Sequence, residues 1–127
     1  MKTDELYISD IKHQADFILE ILPKISRDEL IESMLYQNAL IRSLEVIGEA
    51  AKRLSAEFLA AHPEIPIREM ARTRDKLIHG YADIDLDKLW MIVSVDIPRL
   101  AEQLEEPRIK PSFPHPTQRY YQPLRTI

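Results

Sequence analysis

The stretch LIRSLEVIGEAAKRL, residues 40–54, repeats its apolar side chains at intervals of three and four residues. An α-helix turns once every 3.6 residues, so this spacing places the apolar side chains on one helix face. The stripe consists of Leu40, Leu44, Ile47, Ala51 and Leu54, widened by Ile41. Gly48 lies beside it, although a glycine inside a helix costs about 1 kcal/mol relative to alanine. We therefore predict a long amphipathic helix that a second helix approaches closely at Gly48.

Helical periodicity extends over most of the chain, and local signals mark where the helices begin and end. Pro23 should end a first helix, because proline cannot donate the helical hydrogen bond. Ser26 and Glu29 have the spacing of a capping box, which starts a second helix. Pro98 falls inside the last helix and should kink it. The predicted helices cover about residues 4–22, 30–59 (a short helix and then a long one), 66–80 and 85–106. This pattern predicts an all-α protein, an antiparallel bundle of four to five helices.

The composition fits one helical domain followed by a tail. Five of the nine prolines lie in residues 107–127, where the apolar periodicity stops and all four charged residues are basic. We therefore expect residues 1–106 to form the domain and residues 107–127 to form an extended Pro-rich tail. The chain contains no cysteine, which excludes disulfides and thiolate metal sites.

The sequence carries no signal for secretion or membrane insertion. The first residues, MKTDELYISD, are charged from the second position and lack the apolar region of a signal peptide. No apolar run approaches the roughly 20 residues that cross a bilayer. We therefore expect a cytoplasmic protein with no membrane partner.

The charge distribution leaves a nucleic-acid partner open. The net charge is −4, which by itself disfavours binding to a polyanion. The acidic excess lies elsewhere, however, because residues 66–80 carry four basic side chains against two acidic ones. An acidic protein can still bind RNA when its positive groups converge on one groove. Charge alone therefore does not decide the function.

The segment MARTRDKLIHGY, residues 70–81, carries the residues with the clearest chemistry. Arg74 and His79 are five residues apart, about 140° around a helix axis, so they do not stack on one helix face. They could serve one site if the helix end unwinds at Gly80. Alternatively, two copies of the helix could meet across a two-fold axis, each contributing both residues. The second arrangement predicts a composite site at a dimer interface.

This residue set suits cleavage of RNA without a metal or other cofactor. A neutral imidazole can remove the proton of a ribose 2′-hydroxyl, and an imidazolium can protonate the departing 5′-oxygen. An arginine offers a planar fork to the phosphate oxygens, whose charge grows in the transition state. The spacing alone favours a non-catalytic interpretation, in which the histidine only stabilises a helix end and the basic residues form a solvated face.

The segment resembles the HEPN superfamily, and more closely the HepT toxins, whose signature is Arg-x4-His-x-Tyr. Arg74, His79 and Tyr81 stand at those three places, and Asp75 takes the polar position after the arginine. The likeness covers nearly all of residues 4–106. It includes RSLEVIGEAAKRLS at 42–55, IPIREMARTRDKLIHGY at 65–81, DIDLDKLW at 83–90 and DIPRL at 96–100. One departure is Ile67, where many members carry tryptophan.

The resemblance implies a HEPN-like helical bundle that acts as an endoribonuclease toxin, a homodimer or a higher oligomer. Arg74 and His79 would be the catalytic residues, with Asp75 and Tyr81 supporting them. RNA would be the substrate, and tRNA is one substrate class of the family. The resemblance also implies a type VII toxin–antitoxin pair, in which an MntA-like minimal nucleotidyltransferase antitoxin transfers AMP from ATP to Tyr81.

Two other functions remain open from the sequence. One is a non-catalytic helical partner that regulates a nucleotidyltransferase, and the other is an RNA-binding module that does not cleave. A further question concerns Glu49, Lys52 and Arg53 in the long helix. They could line the catalytic cleft, but a pattern of surface ion pairs explains them equally well.

Overall fold

A computed structural model describes residues 3–79 and 84–105 of the chain, and of residues 77–79 it describes only the backbone. Within these ranges every regular element is helical, which confirms the predicted all-α class. The elements are α1 (Asp4–Ile21), a 3-10 turn (Leu22–Lys24), α2 (Arg27–Glu32), α3 (Met34–Lys52), α4 (Ala56–Ala61), α5 (Ile67–His79), α6 (Leu86–Met91), a π-helical turn (Ile92–Asp96) and α7 (Ile97–Leu104). The predicted tail, residues 107–127, lies outside the described residues, so the division into domain and tail stays a prediction.

Serine side chains set the starts of three helices. Ser26 accepts a hydrogen bond from the backbone of Glu29, whose side chain accepts one from the backbone of Ser26, so the predicted capping box is present. Ser33 caps α3 in the same position relative to Tyr36. Ser55 caps α4, and the long helix therefore ends at Lys52. The prediction of one long helix reaching residue 59 was wrong, because periodicity persists across a cap that restarts the helix.

The last helical stretch is interrupted where the sequence predicts it. Pro98 has no backbone N–H and its ring crowds the carbonyl four residues earlier. Just before Pro98, the helix widens into a π-helical turn at Ile92–Asp96, between α6 and α7. Asp85 starts this stretch, since its side chain accepts hydrogen bonds from the backbone of Asp87 and Lys88. The apolar side chains on either side of the interruption still reach the core, including Leu89, Val93, Ile97 and Leu100.

The core is built around α3, which packs against α1 and α5, while α7 packs against α1. All five residues of the predicted α3 stripe are buried, from Leu40 to Leu54. From α1, Ile11, Ala15 and Ile18 are fully buried, as their spacing indicates. The long helices α1 and α3 thus bury one face and expose another. None of the described helices is both long and apolar enough to cross a bilayer. This packing places α5 directly on α3.

Candidate active site

Gly48 is the point at which α5 comes closest to α3. A β-carbon on Gly48 would lie 2.8 Å from Cγ of Arg74 and 2.9 Å from the backbone oxygen of Met70. Real β-carbons essentially never come within 3.0 Å of another atom in this way. Only glycine therefore lets the two helices pack at this distance, which confirms the close approach predicted at Gly48. The stem of Arg74 lies across the glycine.

The guanidinium group of Arg74 is held by two carboxylates. Its Nη2 lies 3.0 Å from Oε2 of Glu49, and its Nη1 donates a hydrogen bond of 3.2 Å to Oδ1 of Asp75. The Arg74 side chain is 24% exposed, and its Nε is buried without a hydrogen-bond partner. Contacts at both terminal nitrogens therefore hold the planar guanidinium group in one orientation.

Two further basic residues, at the end of α3 and just after it, extend these contacts into a network. Arg53 donates two hydrogen bonds to Oε1 of Glu49, at 3.1 and 2.9 Å, and so leaves Oε2 for Arg74. The ammonium group of Lys52 lies 3.2 Å from Oδ1 of Asp75. Glu49, Lys52 and Arg53 thus form the ion pairs that the sequence allowed, and of the three only Glu49 contacts Arg74. Whether they line a catalytic cleft stays a prediction.

Both carboxylates of this network are ionised at neutral pH. The hydrogen bond from Arg53 lowers the pKa of Glu49, and the charge of Arg74 lowers it further. The hydrogen bond from Lys52 lowers the pKa of Asp75, and the one from Arg74 adds to this effect. An ionised carboxylate only accepts hydrogen bonds, so both oppose rotation of the guanidinium group.

Arg74 borders an open cavity of about 360 Å³ between α3 and α5. The other lining residues all come from α3: Arg42, Glu45, Val46 and Glu49. The volume is within the range of sites that bind small molecules. Each Nη of a guanidinium carries two hydrogens, arranged in a planar fork that fits the oxygens of a phosphate.

The structure shows Arg74 in contact with Asp75. The other two predicted site residues, His79 and Tyr81, lie at the edge of the described residues or beyond it. His79 is the last residue of α5, and only its backbone is described; Tyr81 lies outside the described residues. Because α5 stays helical through position 79, positions 74 and 79 lie about 140° apart around its axis. In the described part of the chain, no group of three or more histidine or acidic side chains is placed to hold a metal ion.

The sequence left open whether Glu49 lines the cleft or only forms a surface ion pair, and it did not point to Arg42. Glu49 follows Gly48 directly, and a carboxylate beside the point of closest helix approach was the available signal. Arg42 is two turns earlier on α3, and nothing in its spacing relates it to Arg74.

Comparison with known proteins places this arrangement in a family. The model of the HepT-like ribonuclease family matches residues 11–107. A protein of Thermococcus cleftensis named as a probable ribonuclease HepT is 44% identical over 102 residues, which are 80% of this chain and 93% of the relative. A candidate RNase of Caldanaerobacter subterraneus is 37% identical over 106 residues, 84% of this chain and 95% of the relative. A candidate RNase of Methanocaldococcus jannaschii is 39% identical over 100 residues, 79% and 83% of the two chains. No solved structure matches.

The family match runs from the middle of α1 to beyond the end of α7, so it includes the helix crossing that positions Arg74. The three relatives are each covered over most of their own length, which makes the similarity one between whole domains. The chain therefore belongs to the HepT-like ribonuclease family, which confirms the predicted family and the predicted enzyme class.

Proposed function

We propose that the chain is a metal-independent endoribonuclease and the toxin of a toxin–antitoxin pair in the cytoplasm. The observation that carries this proposal is the guanidinium of Arg74. It is oriented by Glu49 and Asp75 at the edge of an open cavity, on the helix whose last residue is His79. An oriented arginine can bind the phosphate of an RNA substrate, and a histidine on the same helix can supply acid–base catalysis for its transesterification.

The proposed reaction is an in-line displacement at phosphorus. His79 removes the proton of the ribose 2′-hydroxyl, and the 2′-oxygen forms a bond to phosphorus while the bond to the 5′-oxygen breaks. An imidazolium returns a proton to the leaving 5′-oxygen, and the products are a 2′,3′-cyclic phosphate and a free 5′-hydroxyl. Arg74 binds the non-bridging oxygens, whose negative charge increases in the transition state.

A homodimer would supply the two protonation states that this reaction needs. With the helix regular through position 79, one α5 presents positions 74 and 79 on different faces. Two copies that meet across a two-fold axis would place two arginines and two histidines around one phosphodiester. One histidine would act as the base and the other as the acid.

The test of this function is cleavage of RNA by the purified chain in excess EDTA. We expect internal cuts that leave 2′,3′-cyclic phosphate ends or their hydrolysed form. The Arg74→Ala variant, purified in the same way, should cut at least about 100-fold more slowly, because the phosphate loses its charged donors. Equal cleavage by the variant would point to a contaminating nuclease. Binding of intact RNA would support an RNA-binding module, and neither binding nor cleavage would support a non-catalytic partner.

We also propose that a nucleotidyltransferase antitoxin inactivates the enzyme at Tyr81. The phenol oxygen of Tyr81 would attack the α-phosphorus of ATP, releasing pyrophosphate and the phenol proton, and leaving AMP on the tyrosine. The added phosphodiester would bring negative charge and bulk to the segment that follows His79, in competition with RNA for Arg74.

Expression of the chain together with an MntA-like nucleotidyltransferase should therefore add AMP to it. Intact-mass spectrometry is expected to show the added nucleotide, and RNA cleavage should fall in proportion to the modified fraction. The Tyr81→Phe variant should stay unmodified. Growth arrest by the chain alone, relieved by the antitoxin, is the corresponding result in cells. Modification at an unchanged level in Tyr81→Phe would show that another residue is the target.

A further inference from the structure

We propose that an exposed face of α5, the basic stripe formed by Arg68, Arg72 and Lys76, binds RNA backbone phosphates beyond the one that is cleaved. This inference rests on the proposed function and extends it from the scissile phosphate to the path of the RNA strand. Neither the site at Arg74 nor the family signature includes these three residues.

The stripe follows from the spacing of its members on a regular helix. The three residues stand four positions apart within α5, so they form one row along its surface. The rise of an α-helix separates neighbours in this row by about 6 Å and its ends by about 12 Å along the axis. Three cations at such intervals suit an extended polyanion better than a single small anion.

The charges of the stripe are not used inside the protein. All three side chains are exposed, and among the described residues none of them forms an ion pair. Most other basic residues behave differently, since Lys12, Arg27, Lys52 and Arg53 all pair with carboxylates. The chain has 21 acidic side chains against 17 basic ones, so partners are plentiful. The row therefore keeps three positive charges exposed to solvent, where a polyanion can reach them.

The stripe runs toward the proposed catalytic end of α5. Asp75 lies about 20° from Arg68 around the helix axis and position 79 about 20° on the other side, so both belong to the same side of the helix. Lys52, which reaches Asp75 from α3, offsets the negative charge of Asp75 at this border. Arg68 is about 16 Å from position 79 along the axis, too far to touch the same phosphate. An RNA strand whose scissile phosphate lies near position 79 can therefore continue along the stripe on α5.

The chemistry of the stripe favours a nucleic-acid strand over an acidic protein. Its members are long, flexible cations with no aromatic or apolar side chain between them on the exposed face. Phosphate binding needs only charge at regular spacing, whereas stable protein interfaces also need an apolar centre. Glu69, the other exposed charged residue of this part of α5, forms no ion pair with the stripe. These properties of the stripe are typical of a surface that binds the phosphate backbone of a nucleic acid without recognising its bases.

The test compares two doubly substituted chains, each also carrying His79→Ala so that RNA stays intact. Arg68→Gln/Arg72→Gln removes the part of the stripe farthest from the catalytic end. Lys24→Gln/Lys88→Gln removes the same charge from exposed residues of the 3-10 turn and α6, which form no ion pair in the described part of the chain. Kd for a fluorescent 15-nucleotide single-stranded RNA is measured between 50 and 300 mM salt.

We expect the stripe variant to bind about tenfold more weakly at low salt, and its slope of log K against log salt to be smaller by about 1.4, or 0.7 per lost phosphate contact. The control variant should keep the affinity and slope of the parent. Equal Kd and slope for the two variants would overturn the proposal and leave the stripe for an acidic protein partner. The binding result does not depend on the proposed nuclease activity, because every chain in this measurement carries His79→Ala. Failure of the nuclease proposal and failure of the stripe proposal can therefore be distinguished. Melting temperatures of both variants verify that the fold is intact.

Discussion

Replacing His79 by alanine is expected to slow RNA cleavage by about 100- to 10,000-fold, the usual contribution of a positioned general acid–base group. The substitution removes the group that would accept the 2′-hydroxyl proton and donate one to the 5′-oxygen. Arg74 and its carboxylates stay in place, so binding of RNA should change much less than the cleavage rate. The measurement is the single-turnover rate in EDTA, together with Kd for uncut RNA.

The His62→Ala variant is the matched control. His62 lies in the turn before α5, where its ring packs 4.4 Å from that of Phe58, far along the chain from Arg74. We expect it to retain cleavage within a few fold of the parent chain. Full activity of His79→Ala, with both variants folded, would contradict the catalytic assignment. A lower melting temperature of His79→Ala alone would indicate that the histidine acts on the fold.

Gly48→Val is expected to lower the free energy of unfolding by about 3 kcal/mol, at the upper end of the usual cost of overpacking. The new β-carbon would overlap the Arg74 stem and approach the backbone oxygen of Met70, at 2.9 Å. Met70 lies in the first turn of α5, and a backbone oxygen within a helix cannot rotate away, so the two helices must separate. A midpoint of thermal unfolding roughly 10 °C lower is the expected observation.

The same substitution should reduce cleavage by more than the loss of folded protein explains. Separating α3 from α5 moves Arg74 away from Glu49, and a displacement of 1 Å at a catalytic group can cost about 100-fold in rate. The control is Asn38→Val, which adds the same side chain to an exposed position of the same helix. It should preserve both stability and cleavage. If Gly48→Val matched it in both measurements, the close approach at Gly48 would not position the arginine.

Much of the fold was predictable because it depends on neighbouring residues. The buried stripe of α3 appears in the three- and four-residue spacing of its leucines and isoleucine, and the structure confirms it. The capping box at Ser26 and the interruption near Pro98 are also local effects. The end of α3 was missed, since Ser55 restarts the helix without disturbing the apolar pattern.

The site was predictable only in part. The signature residues Arg74, Asp75, His79 and Tyr81 could be chosen from the sequence, and their catalytic roles stay predictions. Of the two carboxylates that contact Arg74, Asp75 could be chosen with the signature. Glu49 could not be assigned to Arg74, because it is 25 residues earlier in the chain. Glu49 and Arg53 are four positions apart, which by itself indicates a surface ion pair. The sequence does not show whether Arg74 also contacts the same carboxylate.

The sequence by itself determined that this chain is helical, where most of its helices start, and which short segment resembles a nuclease motif. These properties arise from interactions within one or two helical turns, which the order of residues encodes directly. The tertiary structure alone decided that Gly48 seats Arg74 and that Glu49 and Lys52 complete its charge network. Such contacts depend on the angle and distance at which two helices cross, and these follow from packing of the whole core.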